Sequence, residues 1–260
     1  MLKLTNENYF SPEASMEYFG VSQCKTFLDC EARALAECKG EYKQENTVAL
    51  LVGSYVDSFF EGTLDEFENS HPELFKKNGE LKADYVHANA IIARVHRDPL
   101  FMEYMSGEKQ VIKTGEIDGF PFKIKMDSYH PGRMIVDLKV MRSLERIMGR
   151  SLVDYWQYDL QGGVYSAIEG NDLPFYLAIA TKEAEPNIEI VEVESADREA
   201  ALDRIRPHLP RWAAIKRGEI EPEACGVCEY CRRNKKLTAP IPAGWLGFSN
   251  KELKYIKGEI

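Results

Sequence analysis

Between residues 108 and 140 the chain changes its hydrophobic period, and that change constrains the fold more than any other feature. Before it, apolar residues recur at helical spacing in "VSQCKTFLDCEARALAECK" (Val21 to Lys39), "TVALLVGSYVDSFFEGTLDEF" and "LKADYVHANAIIARVHRD", the last ended by Pro99. From "KQVIKTGEI" onward the period is two. Asp118-Gly119 between that segment and "FPFKIKMDS" predicts a hairpin, because Asp-Gly suits the tight turn joining two alternating strands. "HPG" at 130–132 then turns the chain into "RMIVDLKV", which predicts three antiparallel strands in succession. "SLVDYWQYDLQGGVYSAIEG" returns to helical spacing, and "LPFYLAIAT" and "NIEIVEVE" read as strands. "SADREAALDRIRPHLPRWAAIKRGE" reads as helix interrupted by Pro207 and Pro210. The order predicts an α/β (α+β) layered domain, with a central mixed sheet built on a three-strand antiparallel meander and flanked by helices.

No Pro/Gly/Ser-rich linker divides the 260 residues, so a single domain is expected: a helical part over 1–105, a core over 106–217 and a cysteine-rich tail over 218–260. With 44% hydrophobic and 29% charged residues, no apolar run near the roughly 18 residues of a membrane span, and no secretory pattern in "MLKLTNENYF", a cytoplasmic protein with no membrane partner is expected. The net charge of −9 argues against a protein that coats nucleic acid by bulk electrostatics. It leaves a nucleic-acid enzyme open, since such sites combine local cations with metal-holding carboxylates.

"MDSYHPGRMIVDLKV" (126–140) carries Asp127, Asp137 and Lys139. Side chains two apart on a strand share a face, so Met134, Val136, Leu138 and Val140 would pack on one side while Asp137 and Lys139 project from the other. A turn centred on Gly132 sets Asp127 opposite or nearly opposite Asp137, with Cβ atoms about 5 Å apart. Two like charges so placed are destabilising unless a cation compensates them. A hard divalent ion such as Mg²⁺, or Mn²⁺, would do so. Lys139 would then orient or deprotonate the attacking water, or stabilise charge on a phosphate. An Asp–Lys pair on a solvated sheet face is the competing reading.

The arrangement resembles the PD-(D/E)XK nuclease superfamily. More narrowly, "GSYVDSFFEG", "TGEIDGFPFKIKMDSYHPGRMIVDLKV", "YDLQGGVYSAI", "LPFYLAIATKE" and "CGVCEYCRRNKKL" resemble phage-type exonucleases similar to exodeoxyribonuclease VIII, the RecE type. The resemblance implies that Asp127 and Asp137 are metal ligands and Lys139 the catalytic lysine. Glu116 takes the place of a further acidic residue of related exonucleases, or is simply an exposed strand glutamate. Asp57 stands where RecB-branch relatives commonly have histidine, as ligand or helper. Gln161 and Tyr165 match the family's Q-x-x-x-Y motif beside the DNA; four apart on a helix, they face the same way. Gly162 and Gly163 between them suggest close approach by another backbone, a strand or the DNA. Lys123, Lys125, Arg142 and Arg146 flank the acidic residues and are candidate phosphate contacts, or scattered surface cations.

The implied activity is a Mg²⁺-dependent exonuclease resecting linear double-stranded DNA ends, 5′ to 3′, for phage-type recombination, with a RecT-type annealing protein as partner and a homo-oligomer possible. A single-strand-specific iron–sulfur nuclease and a non-catalytic DNA-end-binding module are the alternatives. Asp57 in place of histidine is the one feature favouring the last.

"CGVCEYC" places Cys225, Cys228 and Cys231 at successive three-residue steps, a spacing suited to thiolates converging on one metal or cluster. In the resemblance, Cys30 matches the N-terminal cysteine that joins a C-terminal trio in the iron–sulfur branch, which includes AddB-type relatives. That implies a structural [4Fe–4S] cluster. The last two cysteines are closer here than in that branch, and zinc, or reduced or partly disulfide-bonded cysteines, stay open. Cys24 and Cys38 read as helix-packing residues.

Overall fold

In the computed structural model, which describes residues 2–43, 47–237 and 239–256, the helical first hundred residues resolve into short elements. These are α1 (Pro12–Glu17), α2 (Val21–Asp29), α3 (Glu31–Cys38), α4 (Val48–Glu61), α5 (Leu64–Ser70), α6 (Ala83–His96) and α7 (Pro99–Tyr104). The stretch from Val21 to Lys39 is two helices rather than the expected one. Cys30 adopts an extended backbone between them, ending α2 and starting α3. The helix expected from Thr47 to Phe67 is also split: Gly62 takes the left-handed conformation at φ 76°, a C-terminal stop, and α5 restarts after Thr63. Thr47 caps α4 by accepting the Leu50 N–H at 3.3 Å.

Next come β1 (Val111–Ile117), β2 (Phe120–Met126), β3 (Ser128–His130), β4 (Met134–Met141), α8 (Leu152–Trp156), α9 (Tyr158–Glu169), β5 (Phe175–Thr181) and β6 (Ile188–Val193). The chain continues through α10 (Ser195–Ile205), α11 (Leu209–Lys216), α12 (Glu229–Arg233) and α13 (Asn250–Ile256). Asp118 and Gly119 both have positive φ, 51° and 79°, the geometry an Asp-Gly hairpin turn requires.

The expected three-strand meander is interrupted. β1 and β2 form a two-stranded sheet, whereas β3, β4, β5 and β6 form a second sheet in that order. The break falls at Asp127, whose Oδ2 accepts the Leu138 N–H at 2.9 Å. A side chain thereby takes the donor that a ladder continuing into β2 would have used. The second sheet is mixed: β4 pairs with β3 and β6 with β5 antiparallel, while β4 and β5 run parallel and are joined by the α8–α9 crossover.

The chain packs as two compact units that interleave along its length. The described residues of 45–115 and 123–204 form the unit that holds the mixed sheet. There Met134, Val136 and Leu138 of β4 and Ala178 and Ala180 of β5 pack with Val52 and Val56 of α4 and Ile91 and Val95 of α6. This is the apolar face expected from the alternation of β4. The opposite face receives α9, where the Tyr165 ring meets Phe175 edge-on at 5.7 Å.

The described residues of 1–44, 116–122 and 205–256 form the other unit. Its core is aromatic: Trp212 stacks on Phe27 at 5.3 Å, and Phe19 lies 5.5 Å from Phe122. Arg211 grips Glu31 through two bonds of 2.7 and 2.8 Å, the fork geometry that favours arginine.

Candidate functional site

The register Ser128↔Val136 extends by one step to place Asp127 opposite Asp137. Asp137 is 2% exposed. Its Oδ1 accepts a hydrogen bond from the Gln161 amide of α9, and its Oδ2 contacts the Lys139 ammonium. The Lys139 ammonium is what faces that buried Oδ2 among the described residues. Asp127 is half-buried; besides the Leu138 N–H it faces the Gln110 amide at 3.5 Å. Lys139 lies with its Nζ 4.9 Å from the centre of the Tyr158 ring.

Asp57, half-buried on α4, joins this group. Burial pushes its carboxyl up to about 7, aided by Glu61, by Asp137 and by a hydrogen bond to Glu61, with Lys139 opposing. Asp127 is raised well above the carboxylate range by burial and by the charges of Asp137 and Asp57, against Lys139 and the Leu138 N–H. Burial works to lower Lys139, but Asp137, Asp127 and Tyr158 outweigh it and the net shift is upward, which keeps an ammonium there. Asp57 and Asp127, both held above the usual carboxylate range, together with Asp137 form an oxygen donor set that suits a divalent cation. Asp127, Asp137 and Asp57 are the residues that would hold it.

The other predicted residues are less uniformly gathered. Tyr165 is buried and its hydroxyl donates to the Lys125 carbonyl at 2.8 Å. The close approach at the two glycines involves α10 and β5. A Cβ on Gly163 would stand 2.5 Å from the Arg198 carbonyl oxygen, and one on Gly162 would stand 2.8 Å from the Phe175 ring. Lys123 is only 4% exposed, so it is not a surface cation; Lys125 is half-buried, and Arg142 and Arg146 are exposed. Glu116 is exposed on β1 and belongs to the unit with the aromatic core.

Two neighbours escaped the sequence reading. Glu61 lies one helical turn from Asp57 on α4, a spacing that pairs side chains and is visible in "DSFFE". Lys109 feels the charges of Asp127 and Asp57, though burial outweighs them and lowers its pKa; its Nζ donates to the Met105 carbonyl. It opens the segment "KQVIKTGEI" read as strand, but it lies in the bend before β1, and the alternation gave it no role.

In the aromatic-core unit, Cys30, Cys225, Cys228 and Cys231 bring their sulfurs within 4.8 Å of one another. Cys30 and Cys231 are 3.5 Å apart, and Cys225 and Cys231 3.8 Å. All are free thiols. Gly226, at φ 81°, turns the loop, and Cys228 caps α12. Backbone N–H groups point at the sulfurs: Cys225 to Cys30 at 3.4 Å, Cys228 to Cys225 at 3.3 Å and Cys231 to Cys228 at 3.5 Å. At Cys225 burial opposes ionisation, but the amides of Cys228 and Val227 outweigh it and lower the thiol to about 7. Burial pushes Cys231 up to about 12. Cys24 and Cys38 are buried, as expected of packing residues.

A mixed sheet that presents an aspartate opposite an Asp-x-Lys strand, with helices on both faces, defines a PDDEXK-like core. The chain belongs to the family described as "PDDEXK-like domain of unknown function (DUF3799)", which matches residues 20–234. It is similar to the crystal structure of a "Putative exonuclease" from Eubacterium rectale, at 46% identity and a TM-score of 0.90, over 95% of this chain and 99% of that one. The crystal structure of SSO0001 aligns at 18% identity and a TM-score of 0.33, over 82% of this chain and 95% of that one, too weak a likeness to carry an argument. No curated protein matches the sequence.

Proposed function

We propose that this protein is a Mg²⁺-dependent exonuclease acting on the ends of linear double-stranded DNA. The observation that carries the reading is the convergence of Asp127, Asp137 and Lys139 on one face of the mixed sheet, with Asp57 beside them. The name of the Eubacterium rectale relative supports exonucleolytic rather than internal cleavage.

Asp127 and Asp137, with Asp57, would hold Mg²⁺ or Mn²⁺. When bound, such a cation polarises the scissile phosphate and acidifies a water. The chain's own residues supply orientation and charge. Gln161 fixes the rotamer of Asp137 by holding Oδ1, which leaves Oδ2 to the Lys139 ammonium. Lys139, kept as an ammonium by two aspartates, stabilises negative charge building on the phosphate and leaving oxygen. Exposed Arg142 and Arg146, in the segment after β4, supply cations for the DNA backbone despite the net negative chain. A 5′ to 3′ polarity, a role in phage-type recombination and an annealing partner rest on the RecE-type resemblance.

The test is purified protein with Mg²⁺ on linear and covalently closed DNA. Degradation confined to the linear form, and lost in Lys139→Ala, is expected. Equal attack on both forms, or undiminished activity in the variant, defeats the proposal. Comparing single- with double-stranded linear substrates decides the strand preference.

A further inference from the structure

The cysteine cluster is not needed for phosphodiester chemistry, and its geometry restricts what it can hold. Four thiolates around one ion at about 2.3 Å, arranged tetrahedrally, have their sulfurs about 3.8 Å apart. The sulfurs here lie 3.5 and 3.8 Å apart in two pairs, and all four within 4.8 Å. A four-iron cube binds each thiolate through a separate iron, so its sulfurs must spread around the outside of the cube rather than around one point. The observed spacing leaves room for one ion and not for a cube.

The surroundings make the site a closed one. The three N–H···S contacts run around the ring from Cys225 to Cys30, from Cys228 to Cys225 and from Cys231 to Cys228, so that each backbone dipole favours a thiolate. Asn250 of α13 closes over the loop: its side chain donates to the Ala224 carbonyl at 2.8 Å and its N–H to the Cys225 carbonyl at 2.8 Å. A Cβ on Gly226 would lie 2.7 Å from the Asn250 Oδ1, so that close contact depends on glycine. A full set of four thiolates with no position left for water is the coordination of a structural zinc site.

We propose that Cys30, Cys225, Cys228 and Cys231 hold a single tetrahedral Zn²⁺, in place of the [4Fe–4S] cluster that the resemblance implies. The ion clips the α2–α3 junction to the C-terminal segment, across a sequence separation of 195 residues between Cys30 and Cys225. It also accounts for the break at Cys30: an extended backbone there turns the thiol out of the helical period and toward the C-terminal trio.

Elemental analysis of the untagged full chain, purified anaerobically from cells supplied with both iron and zinc, tests this. About one zinc per chain, with neither iron nor acid-labile sulfide, is expected. Exchange with Co²⁺ should give the visible absorption of tetrahedral thiolate-bound cobalt. Cys30→Ser and Cys231→Ser should lose the zinc while Cys24→Ser retains it. If the serine variants do not fold, Co²⁺ titration of wild-type protein stripped with a mercurial and then freed of it keeps the test decisive. About four irons with sulfide, a single iron, or wild-type protein without metal and without the cobalt spectrum would each overturn the proposal.

Discussion

The carboxylate site and the cysteine cluster both gather anionic ligands from distant parts of the sequence, yet they are built on opposite terms. The carboxylate site uses hard oxygens, and its charges conflict: Asp57 is raised by burial, Glu61 and Asp137, Asp127 by burial, Asp137 and Asp57, and Lys139 opposes both shifts without cancelling them. The cysteine cluster uses soft sulfur, includes no cationic side chain among its four members, and has backbone N–H groups pointing at its sulfurs. The first is a frustrated site, costly to the fold and useful to chemistry. The second has no like-charged carboxylates and draws backbone N–H groups onto three of its sulfurs. Repulsion that the protein does not relieve locally marks a place where something else is meant to bind.

The widest separation of the two should come from substitutions that remove a charge or a ligand from one of them. Asp137→Asn and Lys139→Ala are expected to lower nuclease turnover by roughly a hundredfold or more, since each removes a group that holds or offsets charge at the reacting phosphate. Thermal melting of Asp137→Asn should fall little, and a loss of activity that merely tracks unfolding would break the contrast. Cys231→Ser is expected to do the reverse. It should cost about 3 kcal/mol or more of stability, by releasing a long-loop cross-link, as denaturant melts would measure. Turnover per folded molecule should change by less than about threefold, an effect on activity far below that of Lys139→Ala.

A smaller effect follows from the titration of the carboxylate site. Asp57 has an ordinary value of 3.8 and about 7 in the folded protein, and Asp127 is shifted the same way. A raised carboxyl favours the folded state while both forms are protonated, at low pH. Between about pH 4 and 7 the unfolded chain releases these protons first, so their contribution to stability is lost as pH rises. In magnesium-free buffer, the melting temperature of Asp57→Asn should therefore gain on that of wild type as pH rises through this window. Added Mg²⁺ should narrow the gap, because the cation stabilises the ionised form. A gap independent of pH would mean that the Asp57 carboxyl is not raised in the folded protein.

Much of this arrangement was legible in the sequence because it depends on period and turn chemistry. The alternation of "RMIVDLKV" gave the two faces of β4, and a turn centred on Gly132 was enough to set Asp127 against Asp137. What was hidden depends on three-dimensional substitution. A side-chain oxygen of Asp127 replaces a backbone acceptor and splits the meander, and nothing in the alternation of "FKIKMDSYH" marks where that occurs. Cys30 breaks a helix without glycine or proline; the only sign was its place as a possible fourth ligand. Lys109 opens a segment that alternates as a strand, yet it lies just before β1, and nothing in that alternation marks it as a neighbour of the aspartates.

Tyr165 offers the smallest and most discriminating test. The resemblance places it with Gln161 beside the DNA, and the helix does aim both toward the sheet, but to different ends. Gln161 touches Asp137, whereas the Tyr165 hydroxyl is spent on the Lys125 carbonyl of β2 and its ring on Phe175. Replacing one buried neutral hydrogen bond costs about 1 kcal/mol. Tyr165→Phe is therefore expected to lower stability by about that amount while leaving KM for linear DNA within about twofold. Gln161→Ala should instead reduce kcat, because Asp137 loses the donor that fixes its orientation. If Tyr165→Phe raised KM severalfold with unchanged stability, the hydroxyl would belong to the substrate, and α9 would be a DNA-contacting helix along both residues rather than one that positions Asp137 at one turn and holds β2 at the next.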